Sequence, residues 1–281
     1  MKIIPFQIPK VDAESFRFQE DFQPKFYDKL HQHKEVQLTL ILEGEGTFVS
    51  GHRISPFKPN DLFLIFSQVP HVFRSDENPN LKNAQSYSIY FDPTSVLFQS
   101  IPEMRDVRQL FDRQGLVYKM DDEMAAEIKN DLVRIREVEL RQRLILFISI
   151  LDKLFRRSKN FIEISTMHDV KNFSEKEGKR MNDIVSFTFA NSYREISIAE
   201  IAEIAHLSPE AFCRYFKMRT RKTYINFLNE IRINNACKLL DKNEFSIADI
   251  SFQVGFNNIS NFNRIFKRLT GFSPRNYVKI K

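Results

Sequence analysis

The sequence predicts an α+β chain of two domains: an N-terminal β-barrel with connecting helices, then an all-α C-terminal domain. Three observations carry this prediction. At 281 residues the chain has the length of two ordinary domains. Short β-prone stretches fill the first hundred residues, whereas everything after about residue 180 has a helical period. The charge divides at the same place. The net +6 resides entirely in residues 179–281, with 17 Lys and Arg against 9 Asp and Glu, while the rest carries 25 against 27. A basic half joined to a near-neutral half is the asymmetry of a nucleic-acid-binding domain attached to a partner domain.

Composition removes several classes. Seven glycines, where average usage of about 7% would give roughly 20, argue against phosphate-cradling loops. Neither GxGxxG nor GxxxxGK[ST] occurs. Two cysteines, Cys213 and Cys237, with no CxxC, exclude a disulfide scaffold and point to a reducing compartment. Residues 1–10 contain Pro5 and Pro9 and no apolar core of a leader. The longest apolar run, Leu144 to Leu151, is interrupted by Ser149 and far short of the ~20 residues of a membrane span. The expectation is a cytoplasmic protein with no membrane association.

Along the first hundred residues, strands are expected at Val36–Leu42, Gly46–Val49, Asp61–Phe66 and Ser86–Phe91, separated by Pro, Gly, Asn and Asp. From about Ile101 the pattern becomes helical. Met124, Ile128, Leu132 and Ile135 share one stripe, and Leu140, Leu144, Phe147/Ile148, Leu151 and Leu154/Phe155 form a second. The second stripe can pack on the barrel or pair two copies. Residues 169–181 are polar and read as the linker between a domain of residues 1–168, with its connecting helices at 121–168, and a domain of residues 182–281.

The C-terminal domain contains an internal repeat. Ser197-Ile-Ala-Glu-Ile201 recurs as Ser246-Ile-Ala-Asp-Ile250, and Phe212-x-Arg214-x-Phe216-Lys217-x-x-Thr220 as Phe262-x-Arg264-x-Phe266-Lys267-x-x-Thr270. The offset grows from 49 to 50, so one extra residue lies in the second unit's turn. Each copy, at about 197–220 and 246–270, has the grammar of a helix-turn-helix. Ser197 with Glu200, and Ser246 with Asp249, make capping boxes. A break follows at His206-Leu207 or Gly255-Phe256-Asn257. Ser208-Pro209, or one of Asn257 and Asn258, starts the next helix. Phenylalanines at i and i+4 bury one face of that helix, leaving polar side chains to reach base edges or phosphates. The helical pattern from Tyr224 to Leu240 would hold two recognition helices at fixed separation, for adjacent major-groove segments about 34 Å apart.

Residues 182–281 resemble the DNA-binding domain of the AraC/XylS family of bacterial transcription regulators. The second unit carries Ile250-x5-Phe256-x5-Phe262-x3-Phe266-Lys267-x2-Thr270-Gly271-x-Ser273-Pro274-x2-Tyr277. The resemblance implies that Glu210, Ala211, Cys213 and Arg214 of the first unit, and Ile259, Ser260, Asn261, Asn263 and Arg264 of the second, face bases or phosphates. Lys217, Arg219, Lys267 and Arg268 would contact phosphate, adding affinity and salt dependence. Arg221 stands where the repeat and the family have the glycine seen as Gly271. The helix end there is expected to be remodelled, bringing Arg221 toward phosphate.

In the β region, His31, His33, Gln37 and Gly44 resemble the first cupin motif, H-x-H-x3-E-x6-G, while Pro59-x-Asp61 and His71 resemble the second. Gln37 replaces the motif's glutamate and Lys25 its leading glycine. The balance therefore favours a degenerate effector pocket, with His31, His33, Gln37, Phe48 and His71 around it, over a metal centre. No metal, cofactor or catalytic residue is expected. Phe57, Phe63 and Phe66, with Phe48, read equally as pocket lining or core.

The sequence and its resemblance point to a sequence-specific DNA-binding transcription regulator, not an enzyme. The resemblance implies a small-molecule effector, double-stranded DNA and RNA polymerase as partners, activation as the mode, and a homodimer. A metal-dependent, dioxygenase-like cupin with a helical accessory domain is the rival, and a helical protein-interaction module a third reading.

Overall fold

The computed structural model describes residues 15–50, 53–76, 83–112, 115–166, 175–242 and 244–280. The leader reading at residues 1–10 and residues 169–174 of the expected linker lie outside them. The chain forms two compact units, Met1–Glu175 and Lys176–Lys281.

The first unit is built on strands β1 (Arg17–Gln23), β2 (Val36–Glu43), β3 (Gly46–Ser50), β4 (Arg53–Phe57), β5 (Leu62–Ile65), β6 (His71–Ser75), β7 (Ala84–Phe91), β8 (Leu116–Lys119) and β9 (Ile162–Thr166). Helices α1 (Val96–Ser100), α2 (Arg105–Phe111), α3 (Asp122–Glu137) and α4 (Leu140–Arg156) complete it. The ladders are antiparallel and make two sheets, ordered β1-β7-β2-β5-β8-β9 and β4-β3-β6. Neither sheet closes on itself among the described residues, so the pairing draws two open sheets rather than the expected closed barrel. The β character also extends past residue 101. β8 and β9 join the large sheet beyond β5, although strands of four or five residues are too short to announce themselves by alternation.

The predicted helical stripes hold where they meet this core. Met124, Ile128, Leu132 and Ile135 of α3 are all buried. On α4 the stripe divides. Phe147, Leu151 and Leu154 are buried, with Phe147 stacked on Phe16 at 4.2 Å and against Phe91 at 5.3 Å. Leu140, Ile148 and Phe155 face solvent with Ile145. Asp131 on α3 pairs with Lys153 on α4 at 2.7 Å, fixing the register of the two helices.

The second unit is entirely helical: α5 (Glu175–Asn191), α6 (Ile198–Ile204), α7 (Pro209–Thr220), α8 (Tyr224–Lys242), α9 (Ile247–Gln253), α10 (Ile259–Thr270) and α11 (Pro274–Ile280). Residues 175–181, expected as linker, are the opening turns of α5. Their Glu and Lys residues are good helix formers, and Met181, Ile184 and Val185 supply a buried face downstream.

The repeat predicted from sequence recurs in the caps and ends of both first helices. Ser197 Oγ accepts from Glu200 N at 3.1 Å and Ser246 Oγ from Asp249 N at 3.2 Å. Both first helices end in a Schellman motif. In α6, Leu207 N donates to Ala202 O and His206 N to Glu203 O, and in α9, Phe256 N to Ser251 O and Gly255 N to Phe252 O. His206 and Gly255 both take positive φ, at 52° and 94°. The caps of α7 and α10 are Ser208 and Asn258, which makes Asn257 the extra residue. The equivalence runs further than the sequence pattern. Phe216–Phe227 at 5.4 Å matches Phe266–Tyr277 at 5.5 Å.

Candidate functional site: a nucleic-acid face and a polar cavity

Helices α7 and α10 each carry one aromatic stripe and one polar stripe. Phe212 and Phe216 are fully buried, in edge contact with Tyr224, and Phe262 and Phe266 are buried beside Phe256. Burying such a ring is worth about 1.5–3 kcal/mol, so these side chains lock each helix to its unit. The opposite faces are open. Glu210, Cys213, Arg214 and Lys217 on α7 are exposed and Ala211 is half-buried. Ile259, Ser260, Asn261, Asn263, Arg264, Lys267 and Arg268 on α10 are all exposed.

Within these faces some groups are oriented. Arg264 Nη2 donates to Asn261 Oδ1 at 2.8 Å, one turn back along α10. The Glu210 carboxyl is held below its usual range by hydrogen bonds from its own N–H and from the Ser208 hydroxyl. Two expectations fail. Arg219, expected on phosphate, has a largely covered side chain paired with the Glu177 carboxylate of α5, which ties α7 down rather than presenting a cation. Arg221 does not remodel the helix end. It takes φ 55°, and its N–H donates to Lys217 O at 2.8 Å, matching Gly271 N to Lys267 O at 2.9 Å. At Gly271 a Cβ would meet nothing within 4 Å, so the equivalent turn accepts a side chain at about 1 kcal/mol of backbone strain.

α8 is the spine between the two helix-turn-helix units. Its 19 residues span about 28 Å. From it, Arg232 Nε donates to Ser192 O at 2.8 Å and Nη2 to Arg194 O at 2.6 Å, while the guanidinium lies 5.5 Å from the Phe256 ring. One side chain thus joins the entry to the first helix-turn-helix and the turn of the second, both within the helical unit.

The first unit holds a cavity of about 330 Å³. Strand alternation and register build its floor. Thr39 faces Ser88 and Gln37 faces Tyr90 across β2–β7, while Gln19 faces Ser88 and Asp21 faces Ser86 across β1–β7. These side chains make a polar stripe, with Lys25, Phe26, Tyr27, His31 and Phe73 around the rim. Burial raises the Asp21 carboxyl above its usual range, opposed by hydrogen bonds from Gln19 and Ser86. Of the expected pocket residues only His31 and Gln37 line this cavity. Phe48 is fully buried against Phe73 and Phe63, at 4.7 and 5.1 Å, and belongs to the core with Phe57, Phe63 and Phe66. Sequence reasoning missed the β1 and β7 contributors. Their signal was the polar alternation Gln19-x-Asp21-x-Gln23 and Ser86-x-Ser88-x-Tyr90, with Phe22, Tyr87 and Ile89 between but Glu20 breaking the apolar pattern on β1.

His33 and His71 are buried behind Gln37, and the His31 ring is enclosed with them. His31 is not in a continuous strand with His33. It makes an isolated bridge to His71, with N–O distances of 3.1 and 2.9 Å. The Gln37 Oε1 position is 3.0 Å from His33 Nε2 and 2.9 Å from His71 Nε2, and its Nε2 position is 2.6 Å from Thr39 Oγ1. Burial depresses all three imidazoles, His31 to about 4 and His71 well below its usual value. Folded, each takes up a proton only below its usual value, whereas unfolded they protonate near pH 6.5. The unfolded state therefore binds more protons between about pH 6.5 and pH 4, and folding stability falls as pH drops through that window. For His31 alone, roughly 3 kcal/mol would be lost. Urea titrations at pH 7 and pH 4.5 measure this, and an unchanged midpoint for the first unit would contradict it.

No described helix is long and apolar enough to cross a membrane. Comparison with known proteins gives two family-model matches, an AraC-like ligand-binding domain over residues 13–143 and a helix-turn-helix domain over residues 201–280. The chain is 24% identical over 257 residues to the uncharacterized HTH-type transcriptional regulator YdeC of Bacillus subtilis, covering 90% of this chain and 87% of that protein. It is 24% identical to the HTH-type transcriptional activator RhaS of Klebsiella pneumoniae, covering 87% and 85%. A solved structure, ToxT from Vibrio cholerae, aligns over 94% of this chain and 97% of that chain at 16% identity, with a TM-score of 0.36. Together the two domain matches, in order along the chain and on its two units, and full-length relatives of one kind identify the chain as a member of the AraC family of DNA-binding transcription regulators, with a ligand-binding-type domain ahead of its helix-turn-helix domain.

Proposed function

We propose that the protein is a cytoplasmic transcription activator. In this reading α7 and α10 enter successive major-groove segments of one duplex, and the polar cavity of the first unit receives the effector. The duplicated helix-turn-helix carries the reading. Two capped, aromatic-locked helices on one spine, each exposing a polar face, are what reading two neighbouring segments requires. Arg214, Asn261, Asn263 and Arg264 are assigned to base edges, with Glu210, Ala211, Cys213, Ile259 and Ser260 beside them. Lys217, Lys267 and Arg268 are assigned to phosphates.

The two open sheets are taken as the walls of a cupin-like half-barrel. The stripe of Gln19, Asp21, Gln37, Thr39, Ser86 and Ser88 suits a small, hydroxyl-rich effector, since each amide, hydroxyl and carboxylate can exchange a hydrogen bond with it while Phe26 and Phe73 cover its apolar side. The exposed residues of α4, Leu140, Ile145, Ile148 and Phe155, are assigned to pairing with a second copy, and RNA polymerase is the expected partner on DNA. The effector regulates only if it binds two states of the protein unequally.

Selection of bound sequences from a random DNA pool tests this, repeated with polyols and sugars present. The expected result is a site with two short conserved blocks about one helical turn apart, whose retention shifts with an effector. Recovery of unselected sequence would overturn it.

A further inference from the structure

The cluster behind Gln37 has no part in reading DNA. His31 reaches it through its bridge to His71, and His33 from the turn entering β2. The ring centroids are separated by 4.4 Å (His31–His71), 5.2 Å (His33–His71) and 6.1 Å (His31–His33). One ring nitrogen of each lies within 4.8 Å of those of the other two.

The proton positions follow from the partners. Nδ1 of His31 is 2.9 Å from Lys29 O, Nδ1 of His33 is 2.9 Å from Glu35 O, and Nδ1 of His71 is 2.8 Å from Val69 O. A carbonyl only accepts, so each Nδ1 donates and each neutral ring carries its lone pair on Nε2. Gln37 agrees once its amide is turned so that NH2 faces the His33 and His71 Nε2 atoms and its oxygen accepts from Thr39 Oγ1. Three histidines anchored at Nδ1 by main-chain carbonyls, with one ring nitrogen of each inside a 4.8 Å cluster, have the hydrogen-bond pattern of metal-ligating imidazoles.

We propose that His31, His33 and His71 form a site for one divalent transition-metal ion of the nitrogen-preferring class (Zn²⁺, Ni²⁺ or Co²⁺), on the wall of the cavity that His31 and Gln37 line. The donor set fits that class. Neutral imidazoles suit borderline ions, whereas Mg²⁺ and Ca²⁺ demand oxygen. Glu35, the nearest carboxylate, has its oxygen 3.9 Å from His33 Nδ1, on the outer edge of that ring. Gln37 occupies the place from which a carboxylate would strengthen the site.

The test is equilibrium dialysis of chelator-stripped full-length protein against Zn²⁺, Ni²⁺ or Co²⁺, with metal content measured by mass spectrometry and the Co²⁺ adduct by its visible ligand-field bands. One ion per chain is expected. Affinity should fall at least tenfold in His31→Ala, with far-UV circular dichroism reporting the fold, and rise about tenfold in Gln37→Glu as an anionic donor joins the set. Absence of a stoichiometric ion, or binding indifferent to both substitutions, overturns the proposal. If His31→Ala does not fold, Gln37→Glu decides, and unchanged affinity there rejects the site. No DNA enters the measurement, so its failure leaves the regulator reading standing.

Discussion

Gly255→Ala is expected to destabilise the C-terminal unit by about 2 to 4 kcal/mol, while Gly271→Ala costs only about 1 kcal/mol. Both glycines have positive φ, 94° and 82°, so both substitutions carry backbone strain. Their surroundings differ. A Cβ on Gly255 would lie 2.5 Å from Ser192 O, 2.8 Å from the Tyr193 carbonyl carbon and 3.0 Å from Arg232 Nε. The first two are main chain and cannot swing aside, and Arg232 is held there by its bonds to Ser192 O and Arg194 O. The turn of the second helix-turn-helix is thus pressed against the entry to the first. Guanidinium denaturation of the two variants measures the difference. Equal costs would mean that the contact between the two helix-turn-helix motifs does not constrain Gly255.

Arg264→Ala is expected to weaken binding to the selected site about 10- to 100-fold, corresponding to about 1 to 3 kcal/mol for a bidentate base contact, and to relax base preference at one position. Asn261 pre-orients the guanidinium at 2.8 Å, so Asn261→Ala should reproduce part of the loss. Lys267→Ala should weaken all sequences alike and lower the salt slope by about one unit. Arg219→Ala should leave that slope unchanged, because Glu177 already neutralises the guanidinium. Gel-shift titrations over a range of salt separate these outcomes. Uniform weakening by Arg264→Ala across random sequence would move it from base to phosphate.

The helix-turn-helix units were legible because their signals are local. A serine three residues before a backbone N–H caps its own helix, phenylalanines at i and i+4 define a face wherever the helix goes, and the repeat supplied each signal twice. Arg219 and Arg221 were misjudged for the complementary reason. The covering of Arg219 comes from Glu177, 42 residues away, and Arg221 keeps the helix end by taking the left-handed φ of 55° itself, neither of which local spacing encodes. The cavity was half legible. His31 and Gln37 declared themselves through a motif, but Gln19, Asp21, Ser86 and Ser88 become a floor only when β1 and β7 pair in the observed register. Phe48 looked like pocket lining because nothing in the sequence distinguishes an aromatic ring against a cavity from one against other rings.

By itself the sequence determined the order of the two domains, the duplicated unit with its caps and aromatic stripes, and the polar residues those helices expose. Each of these depends on groups within a turn or two of one another, where covalent spacing sets the geometry. Tertiary structure alone decided how the described strands divide between two sheets, that β8 and β9 extend one of them, that three histidines share one ring-nitrogen cluster, and that a Cβ on Gly255 would meet main chain. Those outcomes depend on segments tens of residues apart meeting at ångström precision, and chain spacing does not specify such distances until the fold brings the segments together.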